Sequence, residues 1–165
     1  YLSNLYPGAK TDAERYGNKL VYYYTKDNFI VGDLTYWADL GNIQSFTMYD
    51  MKTGQPISQC NIYSQAGLYK DADLLLSVSF IGEAPNAKNG VCLYERGAPN
   101  FTFIDLTSKL GADETLFSDP TGQNLKANIT NVDTQQKTFA VDVYDTTKKD
   151  ADGNYAYTRS MKVSY

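Results

Sequence analysis

The chain has no histidine, and that absence excludes more than any residue present. Ser-His-Asp and Cys-His catalysis, imidazole metal ligands and a histidine pH switch all go with it. Glutamate is nearly missing as well. Only four of the nineteen acidic residues are Glu, so a strong helix former is scarce. No stretch approaches the roughly 20 apolar residues that a membrane helix needs, so no membrane-spanning segment is expected. Basic residues are neither numerous nor clustered. Fifteen Lys and Arg are scattered through a chain of formal charge -4. Phosphate backbones are bound by grouped cations, and a nucleic-acid partner is therefore not expected. Cysteine is limited to Cys60 and Cys92, which form no CxxC pair. A disulfide between them, worth about 3.7 kcal/mol in the loop-entropy model, is expected, with two free thiols as the alternative. The chain opens on Tyr1 rather than methionine and reads as a processed or excised one. Together these features place it outside the cell or at its surface.

What the chain does have is tyrosine, fifteen of them in 165 residues, beside abundant Thr, Phe and Val. Such residues suit a pleated, half-exposed surface and favour strands. The length suits one core large enough to hold without a metal or cofactor. Residues 1–18 read as an N-terminal arm or edge strand followed by a short helical turn at Thr11–Tyr16, which Gly17-Asn18 ends. Residues 19–165 read as a single β domain.

Within that domain one phrase occurs twice. Asn28-Phe29-Ile30-Val31-Gly32-Asp33-Leu34-Thr35 is matched by Asn100-Phe101-Thr102-Phe103-Ile104-Asp105-Leu106-Thr107, and a Leu-Gly follows each copy, at Leu40-Gly41 and Leu110-Gly111. Thr53-Gly54-Gln55 and Thr121-Gly122-Gln123 extend the correspondence. The pattern suggests an internal duplication of a unit of about 70 residues, with candidate repeats 19–90 and 91–165. Its Phe and Leu would be buried and its Asp would fix a turn.

Local patterning supplies the strands. Leu74, Leu76, Val78 and Phe80 share one face of an alternating run, with Leu75, Ser77 and Ser79 on the other. Lys52-Thr53-Gly54-Gln55 is a hairpin turn. A closing hairpin joins Thr138–Tyr144 to Tyr155–Tyr165, and on its second strand Tyr155, Tyr157, Met161, Val163 and Tyr165 fall on one face with Arg159 as the exception. About ten short strands with almost no helix predict an all-β fold, either an antiparallel β-sandwich or a Greek-key barrel.

Three groups of residues carry potential function. Tyr22, Tyr24, Tyr36 and Trp37 belong to the densest aromatic cluster, and aromatic faces on a rigid sheet stack against sugar rings. Alternation sets Tyr22 and Tyr24 against Tyr23, so one side of that run belongs to the core. Asp150, Asp152 and Asn154 set oxygens at alternating positions around Gly153, as calcium loops do, although hairpin tips favour the same residues for backbone reasons alone. Calcium is thus the one cofactor the sequence admits. Asp/Glu pairs leave room for glycosidase chemistry, but Asp33 and Asp105 occupy matching places in the repeated phrase, where a structural role in capping a turn is the simpler reading. Asn100-Phe101-Thr102 and Asn128-Ile129-Thr130 match the N-glycosylation pattern.

The sequence as a whole predicts a secreted, non-catalytic module that binds a glycan or a protein surface through exposed aromatic residues. Two other readings stand beside it. One is a subunit of an extracellular filament or surface layer that self-assembles by strand addition through residues 1–6. The other is a hydrolase using an Asp/Glu pair.

Overall fold

The structure is a computed structural model that describes residues 19–35, 42–61, 67–82, 86, 88–111, 114, 116 and 125–165. The N-terminal arm, the short helix at Thr11–Tyr16, the turn at Thr121-Gly122-Gln123, and both Tyr36 and Trp37 lie outside the described residues.

The fold is all-β. Eleven strands among the described residues form three antiparallel sheets. The first sheet runs in chain order through β1 (Lys19–Tyr24), β2 (Asn28–Thr35), β3 (Asn42–Asp50) and β4 (Pro56–Asn61). The second holds β5 (Leu68–Lys70), β6 (Leu74–Ile81), β7 (Lys88–Glu95) and β8 (Thr102–Asp105), and the third holds β9 (Leu125–Asp133), β10 (Thr138–Lys149) and β11 (Tyr155–Ser164). Each sheet is a simple up-and-down meander, and none closes on itself.

Aspartate explains most of the tight turns. Asp50 Oδ1 accepts the amides of Lys52 and Thr53, and Asp71 Oδ1 those of Asp73 and Leu74. Asp133 Oδ1 takes Gln135 and Gln136, and Asp150 Oδ1 takes Asp152 and Asn154. A carboxylate one methylene from the backbone reaches amides two or three residues on, which the longer Glu does less well. The excess of Asp over Glu is thereby accounted for by turn chemistry.

The repeated phrase lies in inequivalent places. Asn28–Thr35 is the whole of β2, an interior strand paired to β1 and β3. Asn100–Thr107 instead spans a turn, the strand β8, and the start of a 3-10 turn at Thr107–Lys109. Among the described residues β8 pairs with β7 alone. In the second copy the expected corner is present: Asp105 Oδ1 accepts the Thr107 amide and Leu106 is buried. The boundary between candidate repeats, at 90/91, falls inside β7.

The middle sheet carries a hydrophobic cluster on each face. Leu74, Leu76, Val78, Val91 and Leu93 pack with Leu125, Ala127, Phe139, Val141, Val143, Met161 and Val163 of the third sheet. Leu75, Cys92 and Tyr94 pack with Tyr23, Ile30, Phe46, Met48 and Cys60 of the first. Ser77 and Ser79, which alternation alone would expose, are buried as well, so β6 is interior on both sides. Cys60 and Cys92 are disulfide-bonded, with Cα atoms 6.1 Å apart, and the bridge joins β4 to β7. Further cross-ties to the first sheet run from Asn28 Nδ2 to the Ala98 carbonyl (3.1 Å) and from the Tyr23 hydroxyl to the carbonyls of Asp71 (2.7 Å) and Leu74 (3.0 Å).

Candidate functional site

The outer face of the third sheet holds an aromatic site that alternation did not reveal. On β10, Phe139, Val141 and Val143 point into the core, which turns Asp142 and Tyr144 outward. Their β9 partners are Asn128 and Lys126. On β11 the ladder shifts register between Val143 and Tyr144: Val143 pairs with Arg159, but Tyr144 pairs with Tyr157. The extra residue is Thr158, whose Oγ1 donates to the Val143 carbonyl at 2.8 Å. An extra residue in one strand reverses the facing of all that precedes it. Tyr157 therefore shares the outer face with Tyr144, the rings meeting edge-on at 5.7 Å, while Arg159 lies on the inner side and forms a two-pronged ion pair with Glu114. The facing expected for β11 thus holds for Met161, Val163 and Tyr165, which lie in or against the core, and is reversed before the bulge, where Tyr157 leaves that face and Arg159 stands on it.

The β10–β11 turn then brings Tyr155 and Asn154 beside this face. A cavity of about 250 Å³ is lined there by Lys126, Asn128, Tyr144, Asn154 and Tyr155. Lys149 Nζ lies 3.7 Å from the centroid of the Tyr155 ring and Lys126 Nζ lies 5.7 Å from it, both within cation–π range. Asn128 Oδ1 is buried and has no hydrogen-bond partner among the described residues. Asp142, its neighbour in the ladder, is occupied by the Thr130 hydroxyl at 2.8 Å. A buried acceptor without a donor costs about 1–3 kcal/mol, a cost offset when a ligand supplies the donor.

A second cavity, of about 340 Å³, lies among the β5–β6 turn, Glu95, Thr134 and Tyr165. Its charges are already matched. Asp71 accepts the Tyr69 hydroxyl at 2.8 Å, Asp73 faces Arg96 at 3.9 Å, and Glu95 is paired with Lys137.

The residues singled out from the sequence part company. Tyr22 is half-buried, edge-on to Phe46 at 5.2 Å, with Lys70 Nζ 4.8 Å from its ring centroid. Burial raises the pKa of its hydroxyl. Tyr24 is 67% exposed, and Tyr23 between them is in the core. Asp150, Asp152 and Asn154 sit at the β10–β11 hairpin tip, where Asp150 Oδ1 is engaged by two backbone amides and Gly153 adopts φ +83°. That is the geometry of a closed turn. Of the two sequons, Asn100 is exposed in a turn, whereas Asn128 lies within β9 with its side-chain oxygen buried.

Sequence reading missed Tyr144, Lys126 and the role of Asn128. Polar and aromatic residues at Lys126, Asn128, Asp142 and Tyr144, alternating with core residues, are visible in the chain; their convergence with Tyr157 depends on one bulge. Compared with known proteins, the chain matches no family model, no curated protein and no solved structure. Among the described residues, no helix is long and apolar enough to cross a membrane.

Proposed function

We propose that the chain is a secreted, non-catalytic β-sandwich module, folded as one domain over residues 19–165, that binds a glycan on the outer face of β9–β11. The face-to-face layering of three meanders is the finer architecture this reading adopts. The meander, rather than the Asn-Phe phrase, is its recurring unit. One observation carries the functional reading: Asn128, whose buried Oδ1 has no hydrogen-bond partner among the described residues, lines a cavity together with Tyr144 and Tyr155. A sugar presents hydroxyl donors and an apolar ring face together, and an acceptor beside a tyrosine ring suits both.

Two further features support it. The intramolecular disulfide is compatible with an oxidising, extracellular setting. Among the described residues, the displaced carboxyl pKa values, at Asp50, Asp71, Asp105, Glu114 and Asp145, move downward, whereas a glycosidase acid needs one raised.

A glycan array followed by calorimetry on the best hit tests the proposal. Binding that is lost in both Tyr155→Ala and Asn128→Ala, each shown folded by circular dichroism, is the expected result. An array without hits, or binding untouched by either substitution, overturns it.

A further inference from the structure

The charge around the same cavity narrows the class of sugar. The chain is net acidic, at -4, yet two lysines, Lys126 and Lys149, lie within cation–π range of the Tyr155 ring. Each is seen against that ring, and neither forms an ion pair with a carboxylate among the described residues. Of the carboxylates on β10, Asp145 pairs with Lys148 at 3.1 Å and Asp142 accepts from Thr130, while at the hairpin tip Asp150 Oδ1 takes the amides of Asp152 and Asn154. An ammonium group left over an aromatic ring in a concave site retains most of its attraction for an anion, because a cation–π contact leaves its charge uncompensated. The cavity thus combines one lining cation, Lys126, with an aromatic wall, Tyr155, that carries a second, Lys149, and with the side chain of Asn128.

We infer that the ligand is an acidic sugar, its carboxylate directed to Lys126 and Lys149 and a hydroxyl to Asn128 Oδ1. This rests on the glycan reading of the site. A hexuronate has both groups on one ring, and a single ring suits the size of a cavity of about 250 Å³. A neutral sugar would satisfy Asn128 but would leave both lysines unmatched, and a simple carboxylate would do the reverse.

The test uses the full chain and a matched pair of probes, trigalacturonate and its fully methyl-esterified form, which share a skeleton and differ in charge. Calorimetry should give about tenfold tighter binding for the free acid. The gap should close in about 1 M salt, where charges are screened beyond about 3 Å, and in the Lys126→Gln/Lys149→Gln variant. Salt titration of the wild type makes the result independent of how that variant folds. Equal binding of acid and ester, with both lost in Tyr155→Ala, overturns the acidic-sugar inference and leaves the glycan reading standing. If these and the neutral sugars of the array all fail to bind, both fall.

Discussion

The hydroxyl of Tyr23 lies 3.0 Å from the main-chain carbonyl of Leu74, so the first sheet is tied to the second at the point where β6 begins. The same hydroxyl lies 2.7 Å from the Asp71 carbonyl. Burial, reinforced by the negative charge of Asp71, raises its pKa far above the ordinary 10.0. A group whose folded pKa is raised contributes stability that is whole below the unfolded pKa and is lost as pH rises past it. Stability should therefore fall above about pH 10. Tyr23→Phe should cost about 1 kcal/mol at neutral pH. It should also flatten the alkaline decline, as read from urea midpoints between pH 8 and pH 11.

Asn128 separates binding from stability. Replacing it with Leu, close in volume, removes a buried acceptor that has no donor, and the ligand-free protein should gain about 1 kcal/mol while losing its ligand. A lower urea midpoint in Asn128→Leu would show that the oxygen is satisfied in the free protein.

Loss of the disulfide should be felt across two sheets. With Cys60 and Cys92 separated by 32 positions, the loop-entropy relation gives about 3.7 kcal/mol. The Cys60→Ala/Cys92→Ala variant should show this loss in urea melts under non-reducing conditions. A loss below about 1 kcal/mol would mean that the unfolded chain gains little freedom when the bridge is absent.

Gly90 has no room for a side chain. It pairs with Asp105 across β7 and β8, and an added Cβ would collide with the carbonyl oxygen of Ile104, a backbone atom that cannot swing aside. Gly90→Ala should destabilise by about 3 kcal/mol, the upper part of the range for overpacking. The measurement is a urea midpoint shift, and a shift near zero would mean that β8 moves freely.

Glu114 and Arg159 supply an acid-side signature. The hydrogen bond from Arg159, with a second from the Gly111 amide, lowers the Glu114 pKa below its usual 4.5. A depressed folded pKa gives stability that is present above the unfolded value and lost as pH falls. The gap in urea midpoint between wild type and Glu114→Gln should therefore be full at pH 6 and shrink below about pH 4. A double-mutant cycle with Arg159→Gln should return a coupling energy below about 1 kcal/mol, since both side chains remain partly exposed.

How far the chain could be read in advance depends on where its period held. Leu74, Leu76 and Val78 were legible as a core face because alternation is unbroken there. The burial of Ser77 and Ser79 was not, because small hydroxyl residues look the same whether they meet water or a second packed sheet. The tyrosines of β11 were assigned to the core face because a bulge at Thr158 leaves no mark on composition. The β1 ladder shifts in the same way between Val21 and Tyr23, which alters the neighbours of Tyr22. Tertiary covering and single-residue bulges decide these positions, and neither is written in the local pattern.

Strand β6 gives alternate side chains to two interiors at once, Leu74, Leu76 and Val78 to one and Leu75 to the other. The two therefore share a backbone, and opening either exposes a ladder on which the other depends. Neither outer meander should therefore show a melting transition of its own, and a denaturant series should read as one cooperative transition. Amide hydrogens of β6 should consequently exchange only through global opening, and the outer face of the third sheet should inherit its rigidity from the strand packed against its opposite side.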